Sequence, residues 1–293
     1  MEAAKPSSYL LYILPSAIGF VGIIIIPFIL NIAASFTQWR GVGIPKFIGL
    51  ANYARLLKDE LVWEGFYHSL IFILSMAVIP TILGLILAAL LFDYVAARFG
   101  KTTASFFRAG FYLPQILPLA VAGVLWGWIF SPIGVLNTTL KAWGLDFLAR
   151  NWLGDPGTAM LCVMFVMVWL QLGYSLVIFM SGLARVDPAL YEAAELDGAT
   201  WFERFRYITV HMLKPELFVV GLTTTIAALN VFAPVFVLTK GGPNNATTVP
   251  SLLAYYHFFT TNRVGYGATI TTMQTALTML LAYVFVRLQS RDQ

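Results

Sequence analysis

Between Leu183 and Pro215 the chain gathers carboxylates on two short segments whose ends are chemically marked. The run Asp187-Pro188-Ala189-Leu190-Tyr191-Glu192-Ala193-Ala194-Glu195-Leu196-Asp197-Gly198 predicts a helix. Asp187 accepts the orphan amides of a first turn, Pro188 suits the first helical position, and Gly198 suits the left-handed residue that closes a helix. Thr200, with Glu203 three residues later, predicts a second short helix opened by a capping box. Two capped helices side by side in an aqueous loop form a rigid knob. Glu192 and Glu195 on it offer carboxylates for charge-assisted bonds to a partner's basic groups, and Ala193 and Ala194 permit close approach. A solvated amphipathic loop helix is the competing reading.

A second set of groups suits a neutral, hydroxyl-rich solute. Trp169, Gln171, Gly173 and Tyr174 fall midway along one apolar stretch, and Thr223, Thr224, Thr225 and Asn230 along another. A third carries Thr269, Thr271, Thr272, Gln274, Thr275 and Thr278. Amides, hydroxyls and aromatic faces hydrogen-bond such a solute while stacking on its apolar face. The same residues also serve as interhelical glue, and both readings stay open.

Other chemistries find no support. Cys162 is the lone cysteine and reads as a small packing residue, and His68, His211 and His257 are scattered, so no metal site is expected. Gly100-Lys101-Thr102 resembles the end of a phosphate loop, but Val95 stands where that motif needs its first glycine. No acid-base pair or activated nucleophile is evident, and an embedded enzyme is disfavoured for that reason. Buried charges are what ion-driven transporters need, and the apolar stretches hold none. A secondary transporter is thus the alternative, disfavoured also by the lack of an inverted repeat. Uphill movement of a solute would draw its energy from another subunit.

The elements that position these groups are membrane helices. The 293-residue chain is 59% apolar, 15% aromatic and 11% charged, against about 25% charged in soluble domains. Six stretches (9–36, 69–92, 111–130, 159–183, 217–238 and 264–286) lack Asp, Glu, Lys, Arg and His. Each is near the ~20 residues that cross a hydrocarbon core. The expected fold is therefore all-α and integral to the membrane: one permease-like domain over 1–293 with six transmembrane helices and two short helices in the loop 184–214. Stretch 9–36 is too long for a signal peptide and is kept as the first span. Pro15, Pro27, Pro80, Pro114, Pro118 and Pro234 each tend to kink their helix.

With both termini inside, ten basic residues fall on the inner side (Lys5, Arg98, Lys101, Arg108, Arg185, Arg204, Arg206, Lys214, Arg287, Arg291). Eight fall outside (Arg40, Lys46, Arg55, Lys58, Lys141, Arg150, Lys240, Arg263). This bias places the knob in the cytoplasm. The net charge of +4 calls for membrane lipid, and no nucleic acid, as its partner.

Glu192-Ala193-Ala194, three residues, Gly198, nine residues and Ile208 resembles the EAA loop of the membrane permeases of bacterial ABC importers. Three flanking runs extend the resemblance over nearly the whole chain, toward the sugar branch and its maltose-type larger permease: Phe47-Ile48-Gly49-Leu50-Ala51-Asn52-Tyr53, Asn151-Trp152-Leu153-Gly154-Asp155-Pro156 and Leu238-Thr239-Lys240-Gly241-Gly242-Pro243. The resemblance implies that the knob docks on an ATPase through Glu192, Ala193, Ala194, Glu195, Asp197, Gly198, Trp201 and Phe202. It also implies a second permease, two ATP-binding cassette subunits that hold ATP and magnesium while this chain binds no cofactor, and an extracytoplasmic solute-binding protein facing loops 37–67 and 239–263. The location implied is a prokaryotic cytoplasmic membrane. Solute contact would fall to Trp169, Gln171, Gly173, Tyr174, Thr224 and Asn230, and the absence of span cations favours a neutral or weakly charged sugar. The family pattern places a proline where this chain has His211, which makes the exit of the second short helix less predictable.

Overall fold

The computed structural model describes residues 6–289, with side chains from residue 12 onward. Lys5 and Arg291, both counted toward the inner face, lie outside the described residues, as do the termini. The described chain is overwhelmingly helical. Four helices are long and apolar enough to cross a membrane: Tyr12–Ser35, Glu60–Phe99, Pro156–Leu183 and Val264–Gln289. Two bent pairs raise the number to as many as six.

The bends are where the structure departs from the expected spans. The stretch 111–130 is not one helix: Lys101–Ile116 and Leu119–Ile129 meet at 97°. Leu117 between them is extended (φ −68°, ψ 135°), because the Pro118 ring disfavours helical backbone in the residue before it. The stretch 217–238 is likewise divided. A helix over Lys214–Leu229 stops at Asn230, and Ala233–Leu238 begins anew with Pro234 in its first turn. Trp201–Met212 meets Lys214–Leu229 at 69°.

Two other prolines leave their helices unbroken. Pro27 and Pro80 each sit in the first turn after a π-helical turn, at Val21–Ile25 and Leu74–Val78. A proline ring collides with the carbonyl four residues back, and a widened turn gives that carbonyl room. The expected kink is absorbed as a bulge.

Residues cluster into two compact units. The first comprises the described part of Met1–Val62 with Leu253–Ala276. Thr37–Gln38 and Lys46–Phe47 pair antiparallel there, Thr37 opposite Phe47. Buried Asn52 donates its amide to the carbonyls of Ser35 and Thr37, both at 2.9 Å. Asn31 bridges Thr271 and Thr272 at 3.2 and 3.1 Å, so these two threonines act as glue between apolar helices.

The second unit comprises Trp63–Leu252 with the described part of Leu277–Gln293. Its central helix, Pro156–Leu183, is capped by the Asp155 carboxylate and packs on Ile79–Ala89 and Lys101–Ile116. Leu85, Ala88, Leu91, Leu176, Phe179, Leu183, Leu213 and Val220 form its inner core. Small residues set the spacing: a Cβ on Gly84 would stand 2.7 Å from the Ser175 Cβ. Replacing Gly84 by Val should therefore destabilise the fold by about 1–3 kcal/mol through overpacking. Thermal unfolding in detergent reads this, with Gly127→Ala, whose new methyl meets nothing within 4 Å, expected to match wild type.

Candidate functional site

The loop after Leu183 folds as its end signals dictate. Asp187 caps the helix Pro188–Leu196 by accepting from the Ala189 amide at 3.0 Å, with Pro188 in the first turn. The helix closes in a Schellman motif: the Gly198 amide donates to Glu195 O at 3.0 Å and the Ala199 amide to Ala194 O at 2.9 Å. Gly198 has φ +79°, which the glycine adopts without a Cβ penalty. The second helix, Trp201–Arg204, opens with a complete capping box between Thr200 and Glu203. The backbone amide of Thr200, and then its hydroxyl, hold the Glu203 carboxyl below its ordinary value. The cap is thus intact above the usual carboxylate range and weakens as pH falls through the lowered value.

Side chains fix the two helices to each other and to the bundle. Arg204 pairs with Glu195 across the turn at 2.8 Å. The Tyr191 hydroxyl meets that of fully buried Thr209 at 3.0 Å. Burial pushes the Tyr191 phenol above its usual range. Trp201 stacks on Phe205, centroids 5.2 Å apart, and its indole N–H donates to Asp93 at 3.2 Å. Asp93 stands at the end of the helical run that begins at Glu60, so the knob is tied to a long membrane helix. Arg185 donates to buried Glu216, closing the base of the loop. The exit needs no proline at His211: a π turn over Phe205–Thr209 and one turn over Val210–Met212 end with Leu213 fully buried.

What remains outward is a mixed acidic and apolar face. Glu192, Ala193, Asp197 and Gly198 are exposed. Leu196 is 89% and Phe202 61% exposed. Ala194 and Trp201 are half-buried against the rest of the knob.

The polar groups of the apolar stretches divide by position. Trp169 packs edge-to-face on Trp126, centroids 5.4 Å apart, and borders an apolar cavity of about 360 Å³ with Phe107, Phe111 and Pro114. Gln171 is half-buried on the same helix. Gly173 lies where two helices cross, and a Cβ there would overlap the Phe111 carbonyl. Tyr174 meets Thr223 across the helix pair at 3.1 Å. Buried Thr224 turns its hydroxyl onto its own helix, donating to Val220 O at 2.6 Å. Asn230 sits at the break after Leu229, exposed, with its amide on Ile226 O at 2.8 Å.

Sequence reasoning missed the groups that fasten the knob. Asp93 lies one residue past the expected second span, and Arg185 and Glu216 flank the expected fourth and fifth spans. A solitary acid at a membrane border and opposite charges at neighbouring helix ends were the available signals.

Comparison with known proteins identifies the family and the fold. Residues 80–292 match a family described as the inner membrane component of binding-protein-dependent transport systems. The probable ABC transporter permease YurN of Bacillus subtilis is 36% identical, covering 93% of this chain and 92% of the relative. The trehalose/maltose transport system permease MalF of Thermococcus litoralis is 33% identical over 82% of this chain and 79% of the relative. Among solved structures, a chain of a bacterial alginate ABC transporter in complex with an alginate pentasaccharide-bound periplasmic protein superposes with TM-score 0.84 at 21% identity. That match covers 98% of this chain and 96% of the other.

The Schellman closure makes a sharp expectation. A Cβ on Gly198 meets nothing within 4 Å, so Gly198→Val acts through backbone strain alone, about 1–2 kcal/mol. Amide hydrogen exchange over residues 187–204 should quicken in Gly198→Val and stay near wild type in Gly198→Asn, since asparagine tolerates the left-handed region.

Proposed function

The chain belongs to the family of inner membrane components of binding-protein-dependent transport systems, a permease subunit of an ABC transporter, and from that premise we propose how it works as a sugar importer. Six spans cross the cytoplasmic membrane with both termini inside: Lys101–Ile116 with Leu119–Ile129 serves as the third, and the fifth begins at Lys214, after the 69° bend that sets it off from the knob. The knob then faces the cytoplasm. A separate ATPase subunit, one of two, receives its exposed face, and a second permease completes the channel. An extracytoplasmic binding protein delivers the solute to the outer loops. ATP and magnesium reside in the ATPase, and this chain contributes no catalytic group.

One observation carries the reading. The outward face formed by Glu192, Ala193, Leu196 and Phe202 stands on two helices with capped ends, and those helices are fastened to the bundle through Trp201–Asp93 and Tyr191–Thr209. Such a body moves as a unit. Closure of an ATPase gripping Glu192 through charge-assisted bonds would therefore displace Asp93 and Thr209, and with them the inner ends of the membrane helices. Glu195 is partly engaged by Arg204, which leaves Glu192 as the freer carboxylate.

For the solute, the sugar class is supported by the trehalose/maltose permease among the relatives. Of the proposed pathway residues, half-buried Tyr174 holds its hydroxyl against Thr223 on the neighbouring helix, and exposed Asn230 presents its amide at a helix break. Trp169 and Gln171 line the same helix. Gly173 and Thr224 contribute by letting helices approach and by keeping a hydroxyl off the lipid.

Two measurements test this. In a Cys162→Ala background, Leu196→Cys should resist an impermeant thiol reagent in intact cells and react after permeabilisation, whereas labelling from outside removes the proposed topology. In reconstituted vesicles, Glu192→Lys should cut solute uptake by about tenfold or more, the scale of losing a bond to a charged group, with reduced ATPase co-purification. Wild-type uptake by this variant with the ATPase bound would make the knob an ordinary connector.

A further inference from the structure

A second constellation lies within the unit that contains residues 12–62 and 253–276. A cavity of about 530 Å³ opens there, lined among others by Trp39, Arg40, Arg55, Asn262, Arg263 and Tyr266. Local structure brings these residues together. Trp39 and Arg40 lie in the turn between the two short strands, Arg55 lies in the last turn of the helix Ala51–Leu56, and Arg263 directly precedes the helix Val264–Gln289. The Trp39 carbonyl accepts from the Gly265 amide at 3.2 Å, and the Arg263 amide donates to His257 O at 2.8 Å. Asn262 holds φ +51°, turning the chain into the cavity wall. The frame is fixed by the Asn52 amide on Ser35 and Thr37.

Three guanidinium groups thus border one cavity, and neither of the ion pairs found among the described residues involves them. Arg55 stacks over Tyr266, 4.4 Å from the ring centroid. The nearby carboxylate, Asp59, is taken by the Tyr266 hydroxyl at 2.6 Å. His257 adds no further positive charge: burial first, then Arg55 and Arg263, hold its imidazole below the ordinary value against a smaller opposing pull from Asp59. The cavity is a preformed cleft in which three guanidinium groups outnumber the Asp59 carboxylate beside them.

The chemistry of the lining narrows the occupant. Guanidinium groups recognise planar oxyanions in bidentate fashion. Trp39 adds a ring on which the apolar face of a sugar stacks, and Asn262 an amide that both donates to and accepts from hydroxyls. The volume falls within the ~300–1,000 Å³ typical of small-molecule clefts, well above what a bare anion needs. We propose that this cavity binds an acidic saccharide unit through its carboxylate, giving the permease a solute-selecting site of its own. The inference rests on the importer reading for its biological sense, and its test does not use the ATPase.

The full-length chain, purified in detergent with the subunits it retains, is titrated calorimetrically with glucuronate, glucose and inorganic sulfate. Glucuronate should bind saturably and glucose should not. Arg40→Gln and Arg263→Gln should each weaken glucuronate about ten- to a hundredfold, as expected for a lost bond to a charged group. Lys141→Gln, outside the cavity, should leave it unchanged, and thermal unfolding of all variants should match wild type. Absence of glucuronate binding, or variants that bind as wild type, overturns the proposal. Sulfate binding as tightly as glucuronate reduces the site to a bare-oxyanion cleft and also overturns it. So does loss of binding-protein docking in the arginine variants when glucuronate itself never binds, which would assign the cleft to a protein contact. A normal glucuronate isotherm beside an uncoupled, transport-dead knob would leave this site standing while the importer mechanism falls.

Discussion

A backbone surrounded by hydrocarbon has no water to complete its hydrogen bonds, and the layout of this chain follows from that constraint. Every departure from regular helix needs a local partner. The π turns before Pro27 and Pro80 supply one by widening the helix where the ring would strike a carbonyl. Pro118 has no such bulge, and the chain turns through 97° instead. Hydroxyls obey the same rule. Thr223, Thr224, Thr271, Thr272 and Thr275 each donate to a carbonyl four residues back, at 2.7, 2.6, 3.3, 2.7 and 2.8 Å. A threonine in an apolar helix is therefore self-satisfied, and its presence alone says little about solute.

The rigidity of the acidic knob comes mainly from backbone satisfaction, with its one exposed ion pair a minor contributor. Arg204–Glu195 leaves Glu195 72% exposed, and such pairs contribute about 0–1 kcal/mol. An N-cap contributes about 0.5–2 kcal/mol, and the knob has two, at Asp187 and Thr200, besides the Schellman closure. Fixed helices in turn leave Glu192, Leu196 and Phe202 on a stationary outer face without help from a partner. That preorganisation lowers what ordering would cost on docking.

Legibility in the sequence tracked locality. Caps, the left-handed Gly198 and the apolar stretches depend on residues within about one turn of one another, and all were readable. Leu117–Pro118 was also local, yet the uniform apolarity of 111–130 masked the break, since hydropathy is blind to backbone direction. The same holds for Asn230, read as midway along a span and found where a helix stops. Contacts between distant positions were out of reach. Trp201 with Asp93 and Tyr191 with Thr209 are separated by 108 and 18 residues, and a single sequence offers no pairing rule for side chains that distant. Gly173 shows the converse: its residue type was noted, but its reason, the Phe111 carbonyl, lies on another helix.

Charge along the chain gains meaning only once the fold groups it. The basic residues outside the spans count ten against eight by the proposed orientation, a small bias toward the inner side that names no site. In three dimensions Arg40 and Arg55, from one loop, and Arg263, more than 200 residues further on, border one cleft, while Glu192 and Asp197 are both exposed on the knob. Like charges held together by a rigid frame repel, and the fold bears that repulsion in the absence of any occupant. Solvent ions screen it, and opposite charge on a bound partner would relieve it further. On the reading proposed above, cationic groups of an ATPase would complement the knob, and an anion small enough to enter the cleft would complement the arginines.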